Sequence, residues 1–150
     1  MRFLFYDSIT DIEKGKSIAG VKTFSLADEF LKGHYKKAPL VPGVLMIEAM
    51  AQLLGWLISY SHDFSVVAIP STIERVTVSS NLRPGFKAEI RAEIVSTSKK
   101  DSLCKAEMYS DARIIASLDR IIYSHFQTVD SKKLAEIFKY YSGLKDMGNI

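Results

Sequence analysis

The chain has 150 residues, 47% hydrophobic and 25% charged, a composition that suits one globular domain and excludes disordered and fibrous classes. Twenty Lys and Arg against 17 Asp and Glu leave a net charge of +3, too small and too dispersed to call for a nucleic-acid partner. Cys104 is the only cysteine, which excludes an intramolecular disulfide and a cysteine-cluster zinc site. Its expected role is that of a small buried hydrophobe on a strand. No run of about 18 apolar residues stands out, and the segment from Met1 to Asp7 is too short for a secretory leader, so a cytoplasmic protein without membrane insertion is expected. No repeat or linker divides the chain, which reads as a single domain over 1–150, with a core over 1–128 and a helical extension over 129–150.

In chain order, Phe3 to Glu13 reads as an edge element, Lys14-Gly15-Lys16 as a turn and Ser17 to Phe24 as a strand. Ser25 to Leu31 predicts a short helical turn, with Ser25 as N-cap and Asp28 closing a weak capping box. Gly33 to Pro42 carries two prolines and predicts a loop. Pro42 and Gly43 open a helix over Val44 to Ser59 whose only strong interruption is Gly55. Strands follow at Ser65 to Ile69, Thr72 to Ser80, Lys87 to Ser96, Leu103 to Tyr109 and Ala112 to Phe126. Turn signals at Arg83-Pro84-Gly85, Ser98 to Asp101 and Ser110-Asp111 separate the later ones. A second helix over Lys132 to Tyr141, capped at Asp130 or Ser131 and stopped by Gly143, gathers Leu134, Ile137, Phe138 and Tyr141 on one face. This face is expected to dock on the body or on a partner subunit. The sum is an α+β domain in which an antiparallel sheet curls around a long central helix, with an additional C-terminal amphipathic helix.

The central helix is apolar around nearly its whole circumference, so it must be wrapped by other structure. Within it Glu48 is conspicuous, because a carboxylate among apolar neighbours costs several kcal/mol unless it is paired or neutralised. Gln52 lies four residues on, on the same face, where its amide can hold the carboxylate. His34 stands in a glycine-flanked loop just before the helix, whereas His62 and His125 read as satisfied or surface side chains. A loop histidine, a proline-gated turn, a glycine at a helix start and a buried Glu-Gln pair form one constellation.

The stretch Gly33 to Gln52 resembles the β-hydroxyacyl-acyl carrier protein dehydratases of the FabZ type. Gly33, His34, Pro39, Pro42, Gly43, Val44, Leu45, Glu48, Ala49, Ala51 and Gln52 match that family's pattern in register, and Tyr35 stands for its Phe. Lys36 and Lys37 occupy the place of a Pro-Gly pair, and Ala38 replaces Arg or Asn. The turn Leu82-Arg83-Pro84-Gly85-Phe86 resembles the family's later Pro-Gly-Asp turn. The likeness runs from about Phe3 to Thr128 and leaves the terminal helix unaccounted for.

The resemblance implies a hotdog fold and a cytoplasmic lyase that dehydrates (3R)-hydroxyacyl thioesters to trans-2-enoyl thioesters in fatty-acid or related acyl or polyene biosynthesis. It implies His34 as base and Glu48 as acid, with the Gly43 backbone N–H as an oxyanion donor. Gln52 and Leu40 would support them, the Leu40 carbonyl by holding the imidazole. It also implies no cofactor besides the phosphopantetheine of acyl carrier protein, no metal, and a homodimer with shared active sites or a trimer of dimers, the Glu coming from the neighbouring subunit. Leu45, Met46, Leu53, Val78, Leu82 and Phe86 are candidates for an acyl tunnel, and Lys36, Lys37 and Arg83 for carrier-protein contact. The alternatives are a thioesterase on the same fold acting on acyl-CoA or acyl-carrier substrates, and a non-catalytic acyl-binding subunit.

Overall fold

Side-chain parity builds the sheet. Along one strand Ala88, Ile90 and Ala92 are buried while Lys87, Glu89, Arg91 and Glu93 face solvent, the alternation of a sheet covered on one side. The computed structural model describes residues 3–128 and 130–144. Six strands, β1 (Ser8–Glu13), β2 (Ser17–Phe24), β3 (Val66–Val78), β4 (Phe86–Thr97), β5 (Asp101–Ser110) and β6 (Arg113–Gln127), form one antiparallel sheet in the order β1-β2-β4-β5-β6-β3. The β5–β6 hairpin turns through Asp111 and Ala112, at φ 48° and 62°, the two left-handed residues of a type I′ connection.

Helix α1 (Gly43–Ser61) runs across the concave face of the sheet. The strands beneath it are lined with small side chains, Gly20, Ala88, Ala92, Ala106 and Ala116, so Met46, Met50, Leu53, Leu54 and Leu57 sink fully into the core. A methyl group at Gly20 would lie 2.8 Å from Leu53 Cδ1, which is why glycine stands there. Tyr123 locks helix to sheet by donating its hydroxyl to the Ala51 carbonyl at 2.7 Å, and burial raises the Tyr123 hydroxyl pKa well above its ordinary value. Cys104 is buried beside it as expected, its thiol pushed up to about 12 by burial. This is the hotdog arrangement.

Three expectations need correction. Over 19 residues with a mean hydropathy of 1.4, α1 is long and apolar enough to match a membrane span by length and composition. Half of that stretch is nonetheless buried inside the fold, so its apolarity belongs to the core. The two strands expected around Pro70 are one strand, β3, with a register shift between Pro70 and Thr72. Proline is accommodated because β3 is an edge, where a missing N–H breaks no outer ladder. The helical turn at Ser25 to Leu31 becomes a 3-10 turn over Glu29–Gly33. Ser25 and Asp28 spend their side chains on the preceding bend, Ser25 Oγ accepting from Ala27 N at 3.1 Å and Asp28 Oδ2 from Ser25 N at 2.9 Å.

The terminal helix α2 (Ser131–Ser142) is capped by Asp130, whose carboxylate accepts from Lys133 N, and ends at Gly143 with φ 68°. It docks on its own body. Phe138 is fully buried, with its ring centroid 5.3 Å from that of Trp56, 5.9 Å from Tyr60 and 5.4 Å from Phe64. Burying that ring contributes about 1.5–3 kcal/mol.

Candidate active site

Glu48 sits on the one stripe of α1 that the sheet leaves uncovered. Gln52 Nε2 donates to Glu48 Oε1 at 2.9 Å, and Gln52 Oε1 accepts from the Phe5 backbone N–H at 2.9 Å. The second bond fixes the orientation of the amide, because a backbone N–H can meet only the amide oxygen. The nitrogen must then face Glu48. Glu48 is thereby held by one oxygen, half-buried, at the rim of a cavity of about 480 Å³ enclosed by α1, the start of β3, α2 and the Phe3-Leu4 segment.

His34 caps the 3-10 turn through its backbone, its N–H donating to Leu31 O at 3.2 Å. The ring stands 4.6 Å from that of Tyr35 across a cis peptide bond. Leu40 closes the loop backbone to backbone, its N–H donating to His34 O at 3.4 Å. The expected contact between the Leu40 carbonyl and the imidazole is not made, and His34 Nδ1 is enclosed without a hydrogen-bond partner among the described residues. Gly43 is the first residue of α1, where the N–H has no intrahelical acceptor. A methyl group there would lie 2.7 Å from Val78 Cγ2, so glycine is what lets strand and helix start meet. Among the described residues no hydrogen bond or ion pair joins His34 to Glu48, and the cavity at Glu48 does not include His34.

A family model described as a FabA-like domain matches residues 1–119. The chain belongs to this family. It is 30% identical over 114 residues to the 3-hydroxyacyl-[acyl-carrier-protein] dehydratase FabZ of Clostridioides difficile, covering 75% of this chain and 80% of that enzyme. It is 36% identical over 97 residues to the FabZ of Thiobacillus denitrificans, covering 62% and 67%. Among solved structures, the dehydratase heterocomplex ApeI:P of Xenorhabdus doucetiae superposes with a TM-score of 0.63 at 12% identity, covering 90% of each chain. A thioesterase of Haemophilus influenzae superposes with a TM-score of 0.62 at 10% identity, covering 81% and 79%. At those identities the superpositions establish the hotdog fold.

In this FabA-like chain Lys36 and Lys37 fill the centre of an exposed turn closed by Ala38 N donating to Tyr35 O at 3.3 Å. Arg83 is exposed on the neighbouring loop, which Val41 N ties down by donating to Leu82 O at 2.8 Å. The tunnel candidates divide differently from expectation. Met46 and Leu53 are fully buried core, Val78 packs at Gly43, Phe86 lies tilted against Phe24 with ring centroids 5.3 Å apart, and none of the six, Leu45 and Leu82 included, lines the cavity at Glu48. That cavity is lined instead by Gly55, Trp56 and Tyr123 and by Leu134, Ile137 and Tyr141 of α2. Gly55 carried a signal as a break in the helix pattern, and the α2 residues did so as one face of an amphipathic helix.

The two remaining histidines meet at the C-terminal end of α1, where His62 is the cap. His62 Nε2 contacts Thr97 Oγ1 at 2.8 Å, Thr97 contacts Ser102 Oγ at 2.7 Å, and Ser102 contacts His125 Nε2 at 2.8 Å, with the two rings 4.9 Å apart. Burial first, then His62, lowers the His125 pKa, against smaller opposing pulls from the Lys99 backbone and Asp101. A lowered folded pKa means the unfolded chain binds protons first as pH falls. His125 therefore weakens the fold progressively below its unfolded value of about 6.5. In urea titrations between about pH 7.5 and pH 5.5, His125→Gln is expected to lose less stability than the unmodified chain. An equal loss would place the acid sensitivity elsewhere.

Proposed function

We propose that the protein removes water from (3R)-hydroxyacyl thioesters carried on acyl carrier protein, giving trans-2-enoyl thioesters, with His34 and Glu48 as the acid-base pair. The observation that carries this reading is the Phe5-Gln52-Glu48 chain. It aims a fixed, half-buried carboxyl at the mouth of an apolar cavity, within residues that match the FabA-like family.

In the reaction a base takes the proton from C2, the electron pair becomes the C2=C3 double bond, and the C3–O bond breaks as the hydroxyl receives a proton and leaves as water. Imidazole is the side chain whose ordinary titration lies nearest neutral pH, which suits His34 to the first role. Glu48, held by one oxygen, keeps the other for the departing hydroxyl. The unpaired N–H of Gly43, at the positive end of the α1 dipole, suits the thioester oxygen as charge develops on it. No cofactor besides the carrier's phosphopantetheine enters this scheme.

The working unit in this proposal is a homodimer. Strand β3 presents an unpaired edge with Val67, Ile69, Ile73 and Val76 exposed, and pairing with the same edge of a second copy would extend the sheet. That copy would supply the His34 that Glu48 lacks within its own chain. Lys36, Lys37 and Arg83 would meet the acidic carrier protein. The double charge reversal Lys36→Glu, Lys37→Glu is expected to raise KM for carrier-protein substrates more than for short pantetheine thioesters at low salt, the gap closing at high salt. Equal effects on both substrates would remove the docking role.

The deciding experiment is mass spectrometry of a panel of 3-hydroxyacyl carrier-protein substrates of different length. Loss of one water from the acyl group supports dehydration. Release of free carrier thiol would instead identify a thioesterase, and a thioester bound but unchanged would identify an acyl-binding subunit.

A further inference from the structure

The cavity at Glu48 continues well past the site of chemistry. Glu48, Ala51, Gln52, Gly55, Trp56 and Ser59 recur at the spacing of a single helix face, so together they floor a groove along three turns of α1, on the order of 16 Å. Glu48 and Gln52 make one end polar. Beyond them Val67, Ala68 and Pro70 of β3 form one wall, Leu134, Ile137 and Tyr141 of α2 form the other, and the Tyr123 hydroxyl is already engaged by the Ala51 carbonyl. The volume of about 480 Å³ falls within the range of about 300–1,000 Å³ usual for small-molecule sites. Midway along, Gly55 leaves its side of the groove bare, since an added Cβ would meet only the Ala68 carbonyl at 3.9 Å.

We infer that this groove takes the acyl tail of the substrate and that α2, pinned by Phe138, sets the length of tail accepted. The inference rests on the proposed dehydration, which puts the β-carbon of the substrate at Glu48 and leaves an apolar chain to be housed beyond it. The match to the family model ends at residue 119, so the α2 wall lies outside the matched residues. A polar end joined to an apolar groove suits a 3-hydroxyacyl chain.

Trp56, the only tryptophan of the chain, lines the groove and reports on it directly. In the full chain its emission is expected to shift on titration with alkyl-pantetheine thioethers, more strongly with each added methylene until the groove is full. Gly55→Leu replaces glycine inside a helix with a strong helix former, so the variant should fold, and its side chain plugs the groove halfway. It is expected to abolish the length dependence of the Trp56 response. The ratio of kcat/KM for long over short 3-hydroxyacyl substrates should fall about 4-fold for each methylene excluded. Ile137→Ala, which lowers the α2 wall at a partly exposed position, is expected to move the optimum towards longer chains.

A Trp56 response that grows with tail length, in a protein that dehydrates nothing, would support the groove while removing the proposed reaction. Dehydration without any Trp56 response, or an unchanged length profile in Gly55→Leu, would overturn the groove alone. So would Trp56 emission that follows protein concentration and ignores the thioethers, since a second copy would then be the occupant.

Discussion

Replacing His34 by Ala, or Glu48 by Gln, is expected to slow dehydration about 10²- to 10⁴-fold, the usual contribution of a positioned general acid or base. The structure makes both changes clean. His34 supports the fold through its backbone, accepting from Leu40 N and donating to Leu31 O, and both bonds survive removal of the ring. Glu48→Gln keeps the size of the side chain and an oxygen able to accept from Gln52 Nε2, while the proton-donating carboxyl is lost. Neither variant should therefore change the thermal midpoint appreciably, and rates on a 3-hydroxyacyl carrier-protein substrate should carry the whole effect. Gln52→Ala is the informative companion. Without its tether to Phe5 N the carboxylate keeps its chemistry and loses its aim, so a smaller fall in kcat is expected. Near-normal turnover in His34→Ala or Glu48→Gln would remove that residue from the reaction.

The fold was legible in the sequence to the extent that it depends on period and parity. The apolar circumference of Val44 to Ile58 announces a wrapped helix, and Ala88-Ile90-Ala92 announces a covered strand face. Ser110-Asp111 marks the hairpin that the structure turns through Asp111 and Ala112. Leu134, Ile137, Phe138 and Tyr141 give the docking face of α2. Illegible were features whose cause lies in tertiary position. Pro70 looks like a strand break until β3 proves to be an edge. Met46 and Leu53 are as apolar as any tunnel lining, and only the sheet beneath them decides that they are core.

The site divides in the same way. Glu48 and Gln52, four residues apart on one helix, are a local pair that sequence can recognise. The donor that orients Gln52 is the backbone of Phe5, 47 residues away, and it has no side-chain signature. The groove draws its lining from α1, β3, β6, α2 and the N-terminal segment, so no single window of sequence contains it. Physical reasons explain the missing contact at His34 as well. A loop whose backbone closes on itself through Leu40 N and His34 O leaves His34 Nδ1 without a hydrogen-bond partner among the described residues, and in the proposed dimer that ring would face a second copy.

Mixing two inactive proteins tests where that partner comes from. If each site joins His34 of one subunit to Glu48 of another, a dimer of His34→Ala with Glu48→Gln carries one site in which both residues are intact and one in which both are replaced. Random exchange of equal amounts makes half of the dimers mixed, so about one quarter of all sites, and about one quarter of unmodified activity, should return. Against parents slowed about 10²-fold or more, that is a gain of at least about 25-fold. The bare edge of β3 borders the cavity at Glu48 through Val67, Ala68 and Pro70, so a copy paired at that edge would stand beside the carboxyl, which is what such sharing requires. The measurement is turnover of the mixture after subunit exchange, verified by native mass spectrometry, beside the same two proteins combined without exchange. Recovery confined to the exchanged sample assigns the two groups to different subunits. Exchange without recovery would put both in one chain, and the loop that carries His34 would then have to close over Glu48 within the monomer.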